Sequence, residues 1–245
     1  MRMKMVVSYD GTNFAGFQVQ PNKRTVQGEI EKALNKMHKK EDLRITASGR
    51  TDSGVHAIGQ VIHFDTTLQI EPDKWRKALV ALLPADIHVV HMEKADDHFH
   101  ARYDAISKEY RYFILNRKQP DIFRRNYAYW VPETLDIVKM QKALTFVMGK
   151  HDFSSFCAAN SGVKGDKIRT ILDASLDLKE DELTFVIRGD GFLYNMVRII
   201  VGTVIEVGKG KREPEDLQLI LEAKDRKQAG KTAPAHGLFL WEVHY

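Results

Sequence analysis

The hydrophobic pattern changes period in the same order twice along the chain, and this doubling restricts the fold more than any other feature. In the first half Met3, Met5, Val7 and Tyr9 alternate as on a strand. Val26, Ile30, Ala33, Leu34 and Met37 then recur at helical spacing behind Thr25, a favoured N-cap residue. Leu43, Ile45 and Ala47 alternate again, and Gln60 to Phe64 begins a third strand. Pro72 suits the first position of a second helix, whose apolar face is Trp75, Leu79, Leu82 and Leu83. Pro84 ends that helix, and Ile87 to Met92 is a fourth strand.

The second half repeats the order. Ile106, Tyr110, Tyr112 and Ile114 fall on a strand, and Ile137, Met140, Leu144, Val147 and Met148 form a helical stripe closed by Gly149. Leu172 to Leu178 and Leu183 to Arg188 form a hairpin around Lys179 to Glu182. Tyr194 to Val207 is an almost wholly apolar helix and is therefore expected to be buried. A short helix, Pro214 to Ala223, and a strand, Leu238 to Val243, follow. Two β-α-β-β-α-β series predict an α+β protein with tandem ferredoxin-like halves, residues 1–104 and 105–245. No Gly- or Ser-rich linker separates them, so they are expected to share one continuous, mainly antiparallel sheet with a ligand cleft between them.

The site candidates begin with Ala47-Ser-Gly-Arg-Thr-Asp-Ser-Gly-Val-His-Ala57. It places the Asp52 carboxylate beside the Arg50 guanidinium, between Gly49 and Gly54, on a loop expected to join two strands. An ordinary Asp-Gly turn would read the same way. Arg198 is the only charge between Asp190 and Glu206, and a buried Arg needs an anion. A structural ion pair satisfies that need; so does an active-site carboxylate that Arg198 orients and holds ionised. Tyr110 is either a core aromatic or a platform on which a base stacks. Asp10 to Gln20 reads as a turn and an irregular loop within reach of a ligand.

Other classes find little support. His98 and His100, near Asp96 and Asp97, could form a metal pair, but a His-x-His on an exposed strand edge is more often polar surface, and Cys157 has no local activating base. No P-loop or dinucleotide-binding glycine motif is present. The longest apolar run, Met196 to Val207, is interrupted by Arg198 and Glu206 and is too short to span a bilayer. With no secretory signal and a single cysteine, a cytoplasmic location is expected. The net charge is +4, and basic clusters at Lys36 to Lys40, Arg117-Lys118, Arg124-Arg125, Lys209 to Arg212 and Lys224 to Lys231 favour a polyanionic partner.

Several motifs closely resemble the TruA-type tRNA pseudouridine synthases. They are Gly49-Arg-Thr-Asp-Ser-Gly-Val-His-Ala57, Gly191-Phe-Leu-Tyr-Asn-Met-Val-Arg198, Ala233-Pro-Ala-His-Gly-Leu-Phe-Leu240, and Tyr9-Asp-Gly-Thr-Asn-Phe14 with Gln18, Gln20 and Thr25-Val-Gln27. Asp152-Phe-Ser-Ser-Phe156 and Arg169-Thr-Ile171 add to them. The resemblance implies an eight-stranded mixed sheet, a homodimer gripping the anticodon arm of tRNA, and conversion of uridine to pseudouridine at tRNA positions 38, 39 and 40. It implies no cofactor, nucleotide or metal, and no membrane. By the same resemblance Asp52 is the catalytic carboxylate and Arg198 its partner. Tyr110 stacks on the uracil and passes a proton, and Arg50 fills the space of the flipped base or holds a flanking phosphate. Gly49, Thr51, His56, Gly191, Phe192 and Leu193 complete the substrate-binding set.

Three positions depart from the family pattern. Ser53 follows the catalytic Asp where Ala is usual, Phe17 stands where Trp is frequent, and Gly165-Asp166-Lys167 replaces the Ser-Pro before Arg169. The last departure marks 160–167 as a loop whose substrate contacts are expected to differ. The rival readings are a catalytically silent RNA-binding protein and a metal-dependent hydrolase using Asp52 as base.

Overall fold

In the computed structural model, which describes residues 1–40, 42–158 and 165–245, the chain is α+β, with mixed and mostly antiparallel strand pairing. It forms two compact units, Met1–Ile106 with Phe239–Tyr245, and Ser107–Leu238.

The first unit opens with β1 (Arg2–Tyr9), where Met3, Met5, Val7 and Tyr9 are all buried. In α1 (Val26–His38) the Thr25 Oγ1 accepts the Gly28 N–H at 3.2 Å, satisfying one of the donors that a helix start leaves free. Next come β2 (Thr46–Ala47), β3 (His56–Asp65), α2 (Pro72–Leu82) and β4 (Ile87–Ala95). β1 pairs antiparallel with β3 on one side and β4 on the other, and β2 pairs antiparallel with β3. The order β4-β1-β3-β2 is that of a ferredoxin-like half. Ile30 and Leu34 of α1 and Trp75 and Leu79 of α2 are inaccessible and form the core with Met5, Ile62 and Phe64.

Two expected boundaries move in this unit. β2 is confined to two residues because the backbone before it is held by side chains. The Leu43 N–H donates to Asn35 Oδ1 (2.9 Å), and the Ile45 N–H donates to Glu31 Oε1 (3.1 Å). β3 begins at His56, four residues before Gln60, since Ala57 pairs with Tyr9. The sequence His56 to Gln60 has no strict alternation because both of its faces are partly covered. His98 and His100 lie in the turns after β4, off the strand edge where they were expected.

The second unit contains β5 (Ser107–Leu115), β6 (Tyr129–Trp130), α3 (Ile137–Thr145), β7 (Gly149–Asp152), β8 (Ile168–Lys179), β9 (Glu182–Gly189), α4 (Met196–Gly208) and α5 (Asp216–Ala223). β5, β9, β8 and β7 are antiparallel neighbours in that order, and β6 runs parallel to β5. Of the thirteen residues of α4, all but Arg198 and Glu206 are buried, as its apolar sequence requires. The helix starts at Met196 because Asn195 sits in the left-handed region (φ 62°). Ile106 lies outside β5 and is exposed, whereas Tyr110, Tyr112 and Ile114 are buried in phase. Gly149 opens β7 and does not cap α3, which ends at Thr145, and α5 begins at Asp216, two residues after Pro214. Of the atypical 160–167 loop, 160–164 lie outside the described residues.

The last strand, β10 (Leu238–His244), pairs parallel with β3 at Phe239↔His56 and Leu240↔Ala57. Residues 239–245 thus cluster with the N-terminal residues, whereas the expected division at 104/105 assigned them to the C-terminal half.

One buried group makes the first unit sensitive to pH. His63, on β3, is 6% exposed, and its Nδ1 accepts the Ala101 N–H at 3.0 Å. Burial, reinforced by the charge of Arg2, lowers the pKa of the ring to about 4. In the unfolded chain it titrates near 6.5. Above 6.5 the ring is neutral in both states and its contribution is fully present. Between 6.5 and 4 the unfolded chain takes up a proton that the folded chain refuses, so stability falls with pH by up to roughly 3 kcal/mol. Urea midpoints measured from pH 7 to 4 are expected to fall less steeply in His63→Gln than in the wild type. Equal slopes would show that His63 does not titrate in this way.

Candidate active site

The loop between β2 and β3 is held from several sides, with Arg50 exposed and Asp52 half-buried. Ser48 and Gln60 are wholly buried. The Ser48 Oγ donates to Gln60 Oε1 (2.7 Å), and the Gln60 Nε2 donates to the Gly49 carbonyl (2.9 Å). Thr51 is buried, with its Oγ1 2.7 Å from the Tyr9 hydroxyl and its carbonyl accepting the Phe17 N–H at 3.0 Å. Burial pushes the Tyr9 phenol well above its ordinary pKa, so it stays protonated and available as a donor. Ser53 Oγ donates to the Phe14 carbonyl (3.1 Å), the Val55 N–H closes a turn onto the Asp52 carbonyl (3.1 Å), and Gly54 takes the positive φ (77°) of that turn. Within this frame Asp52 is half-buried and Arg50 is exposed. A carboxylate so placed can meet a ligand without reorganising the backbone.

A second layer supports the first. At the start of the Asp10 to Gln20 segment, Gly11 packs against Val55 of the loop. A Cβ on Gly11 would lie 2.0 Å from the Val55 carbonyl oxygen, so only glycine permits this approach. His56, expected as a substrate contact, is 1% exposed. Its Nδ1 accepts the Gly11 N–H at 3.0 Å, and its ring stacks on Phe239 with centroids 4.5 Å apart. The imidazole therefore seats the Gly11 turn.

In the second unit, β9 leads through Asp190 to Asn195 into α4. Thr170 and Asp190 fix the start of this connection: the Asp190 N–H donates to the Thr170 carbonyl (3.0 Å) and Asp190 Oδ1 accepts the Thr170 N–H (2.9 Å). Phe192 then meets Tyr110 edge-to-face, with centroids 5.0 Å apart at 80°. Tyr110 is 8% exposed and sits opposite Ile187 of β9. Gly191 is half-buried beneath the Arg169 side chain, and Leu193 is buried. Arg198 is half-buried; its Nη1 donates to Asn195 Oδ1 (2.7 Å) and its Nε to the Ala233 carbonyl (2.8 Å).

The Ala233-Pro-Ala-His-Gly237 segment is what aims Arg198. The Ala233 N–H returns a bond to the Arg198 carbonyl (3.0 Å), and the Tyr112 hydroxyl donates to the Pro234 carbonyl (2.8 Å). The segment reaches α4 because Gly202 has no side chain; a Cβ there would lie 1.8 Å from the Lys231 carbonyl oxygen. The structure thus gathers Gly49, Arg50, Thr51, Asp52 and His56 in the first unit. It gathers Tyr110, Gly191, Phe192, Leu193 and Arg198 in the second. Tyr9, Tyr112 and Asn195, which the sequence reading did not assign to the site, are supports revealed by contact. Tyr9 and Asn195 lie in the motifs singled out in the sequence, and Tyr112 stands in phase beside Tyr110. Cys157 is buried, consistent with a packing role.

The profile of the tRNA pseudouridine synthase family matches residues 5–104 and 143–245, which include every one of these positions except Tyr110 and Tyr112. The chain belongs to the tRNA pseudouridine synthase family. Among curated members, it is 55% identical over 244 residues to tRNA pseudouridine synthase A of Geobacillus sp. (strain WCH70), covering 100% of this chain and 98% of that one. It is 55% identical over 246 residues to tRNA pseudouridine synthase A of Bacillus subtilis (strain 168), covering 100% and 99%. Among the described residues, no group of three or more His, Cys, Asp or Glu is arranged to hold a metal ion, and no helix is long and apolar enough to cross a membrane.

Proposed function

We propose that this chain isomerises uridine to pseudouridine at positions 38, 39 and 40 of the tRNA anticodon stem-loop, acting as a cytoplasmic homodimer. The observation that carries the reading is the half-buried Asp52 carboxylate on a loop pinned through Thr51, Ser53 and Val55, in a chain with full-length synthase relatives.

The reaction breaks the N1–C1′ bond, turns the uracil, joins C5 to C1′ and releases the C5 proton, while N1 takes a proton. Atoms balance without an oxidant or a second substrate. Asp52 attacks C1′, or removes a proton from C2′ to give a glycal-like intermediate, and later assists closure. By the resemblance of its motif, Arg198 takes the role of favouring the ionised carboxylate, since a guanidinium favours a charged partner. Tyr110, backed edge-on by Phe192, offers a face for the uracil and a hydroxyl for the proton leaving C5. Arg50, exposed beside Asp52, takes the place of the flipped base or a flanking phosphate, offsetting an unstacking cost of a few kcal/mol.

The test uses unmodified tRNA transcripts tritiated at uridine C5, with EDTA present. Release of tritium that maps to the anticodon arm is the expected result. Tight binding with no release from any tRNA would leave an RNA-binding protein in place of the enzyme.

A further inference from the structure

We infer that one face of α1 is a phosphate track for the RNA stem that flanks the target nucleotide. The inference rests on the proposed tRNA substrate. Lys32, Lys36, Lys39 and Lys40 are all exposed and border one shallow concavity along the helix, with Arg44 at its side. Lys32 and Lys36, four residues apart, lie on one helix face, and Lys39, the left-handed C-cap, and Lys40 follow at its end. Among the described residues none of these four lysines has a carboxylate partner, whereas Lys94, Lys139 and Lys142 pair with Glu71, Glu213 and Glu215. Among the described residues, the one carboxylate bordering the concavity, Glu31, is buried and already engaged by Arg44 (2.7 Å), Gln27 (2.8 Å) and the Ile45 N–H (3.1 Å). Among the described residues, these lysines therefore face solvent without a salt-bridge partner. Favourable interaction with the α1 C-terminus accounts for Lys36 in the last turn but leaves Lys32 unexplained.

The place of this face makes it a track. Val19 and Gly28 border its near end. There the Gln27 N–H donates to the Phe17 carbonyl (2.9 Å), and the Phe17 N–H donates to the Thr51 carbonyl, next to Asp52. From that end the thirteen residues of α1 run about 20 Å to the lysines past its C-terminus. A row of cations leading away from the catalytic loop matches the backbone of a stem continuous with a nucleotide held at Asp52. Such contacts fix register and contribute affinity without reading bases.

The experiment compares Lys32→Gln/Lys36→Gln/Lys40→Gln with the control Lys94→Gln/Lys139→Gln/Lys142→Gln, which removes the same charge elsewhere. Dissociation constants for an unmodified tRNA transcript are measured from 50 to 300 mM salt. The track variant is expected to bind at least about 10-fold more weakly near 100 mM and to lose about 2 to 3 from the slope of log Kd on log salt, and the control to match the wild type. Equal losses in both variants, or none in the track variant, would overturn the inference. Tritium release by the wild type is scored separately, so failure of the synthase reading is distinguishable from failure of the track.

Discussion

Asp52→Asn is expected to lower turnover by about 10⁴-fold or more and to leave the dissociation constant for tRNA within about twofold. Asparagine has nearly the shape of aspartate, and several of the contacts that shape the loop run through neighbouring groups. The Asp52 backbone carbonyl accepts the Val55 N–H, while Thr51 and Ser53 anchor the residues on either side. What the amide loses is reactivity, because it neither attacks C1′ nor accepts a proton from C2′ at neutral pH. Loss of the anion also removes one charge facing RNA phosphates, so binding has no reason to weaken. The readout is tritium release at saturating tRNA beside equilibrium binding of the same transcript. Asp52→Ala, which cannot revert by deamidation, is run in parallel. Retention of more than a few per cent of turnover by both variants would remove Asp52 from the chemistry, whatever the binding shows.

How far the sequence reveals this site depends on the range of the contacts. Asp52 stands out because its neighbours are adjacent in the chain, and Arg198 because it is a lone cation in an apolar helix. Each can be read within a window of ten residues. The supports cannot. Tyr9 meets Thr51 across 42 residues, and Gly11 meets His56 across 45, and no local period records such a pairing. His56 looks like a substrate contact beside the catalytic Asp; only folding turns its ring inward onto the Gly11 N–H and Phe239. The same distinction explains the fold. β1 and α1 follow their periodicity closely, because one face of each is buried and the other is wet. β2 is shorter than its alternation because Asn35 and Glu31 of the preceding helix take the backbone donors of Leu43 and Ile45. The assignment of β10 to the first unit arises from pairing with β3, nearly two hundred residues away along the chain and legible only in the folded structure.

Gly11→Ala is expected to damage both stability and catalysis, although residue 11 carries no reactive group. The added methyl would lie 2.0 Å from the Val55 oxygen and 2.5 Å from the Val55 carbonyl carbon. These are backbone atoms, so no rotamer change relieves the overlap and a segment must move. Overpacking a tight site costs about 1–3 kcal/mol, and a contact this close lies at the upper end. The Asp10–Gly11 turn is tied back by the His56 Nδ1 and by the Asp10 N–H donating to the Asp86 carbonyl (3.0 Å). Val55 is joined through its N–H to Asp52 itself. Displacement therefore passes into the Asp52 loop by the shortest covalent and hydrogen-bonded route. A shift of about 1 Å in a reacting group is enough to lower turnover on the order of 100-fold. The measurements are the urea midpoint and single-turnover tritium release at a temperature where the variant remains folded. Gly210→Ala serves as the comparison, because a Cβ there meets nothing within 4 Å, although its φ of 68° also makes alanine strained. Loss of stability in both variants with loss of turnover in Gly11→Ala alone is the expected pattern. A Gly11→Ala enzyme that is destabilised yet chemically unimpaired would show that the turn supports the fold without positioning Asp52.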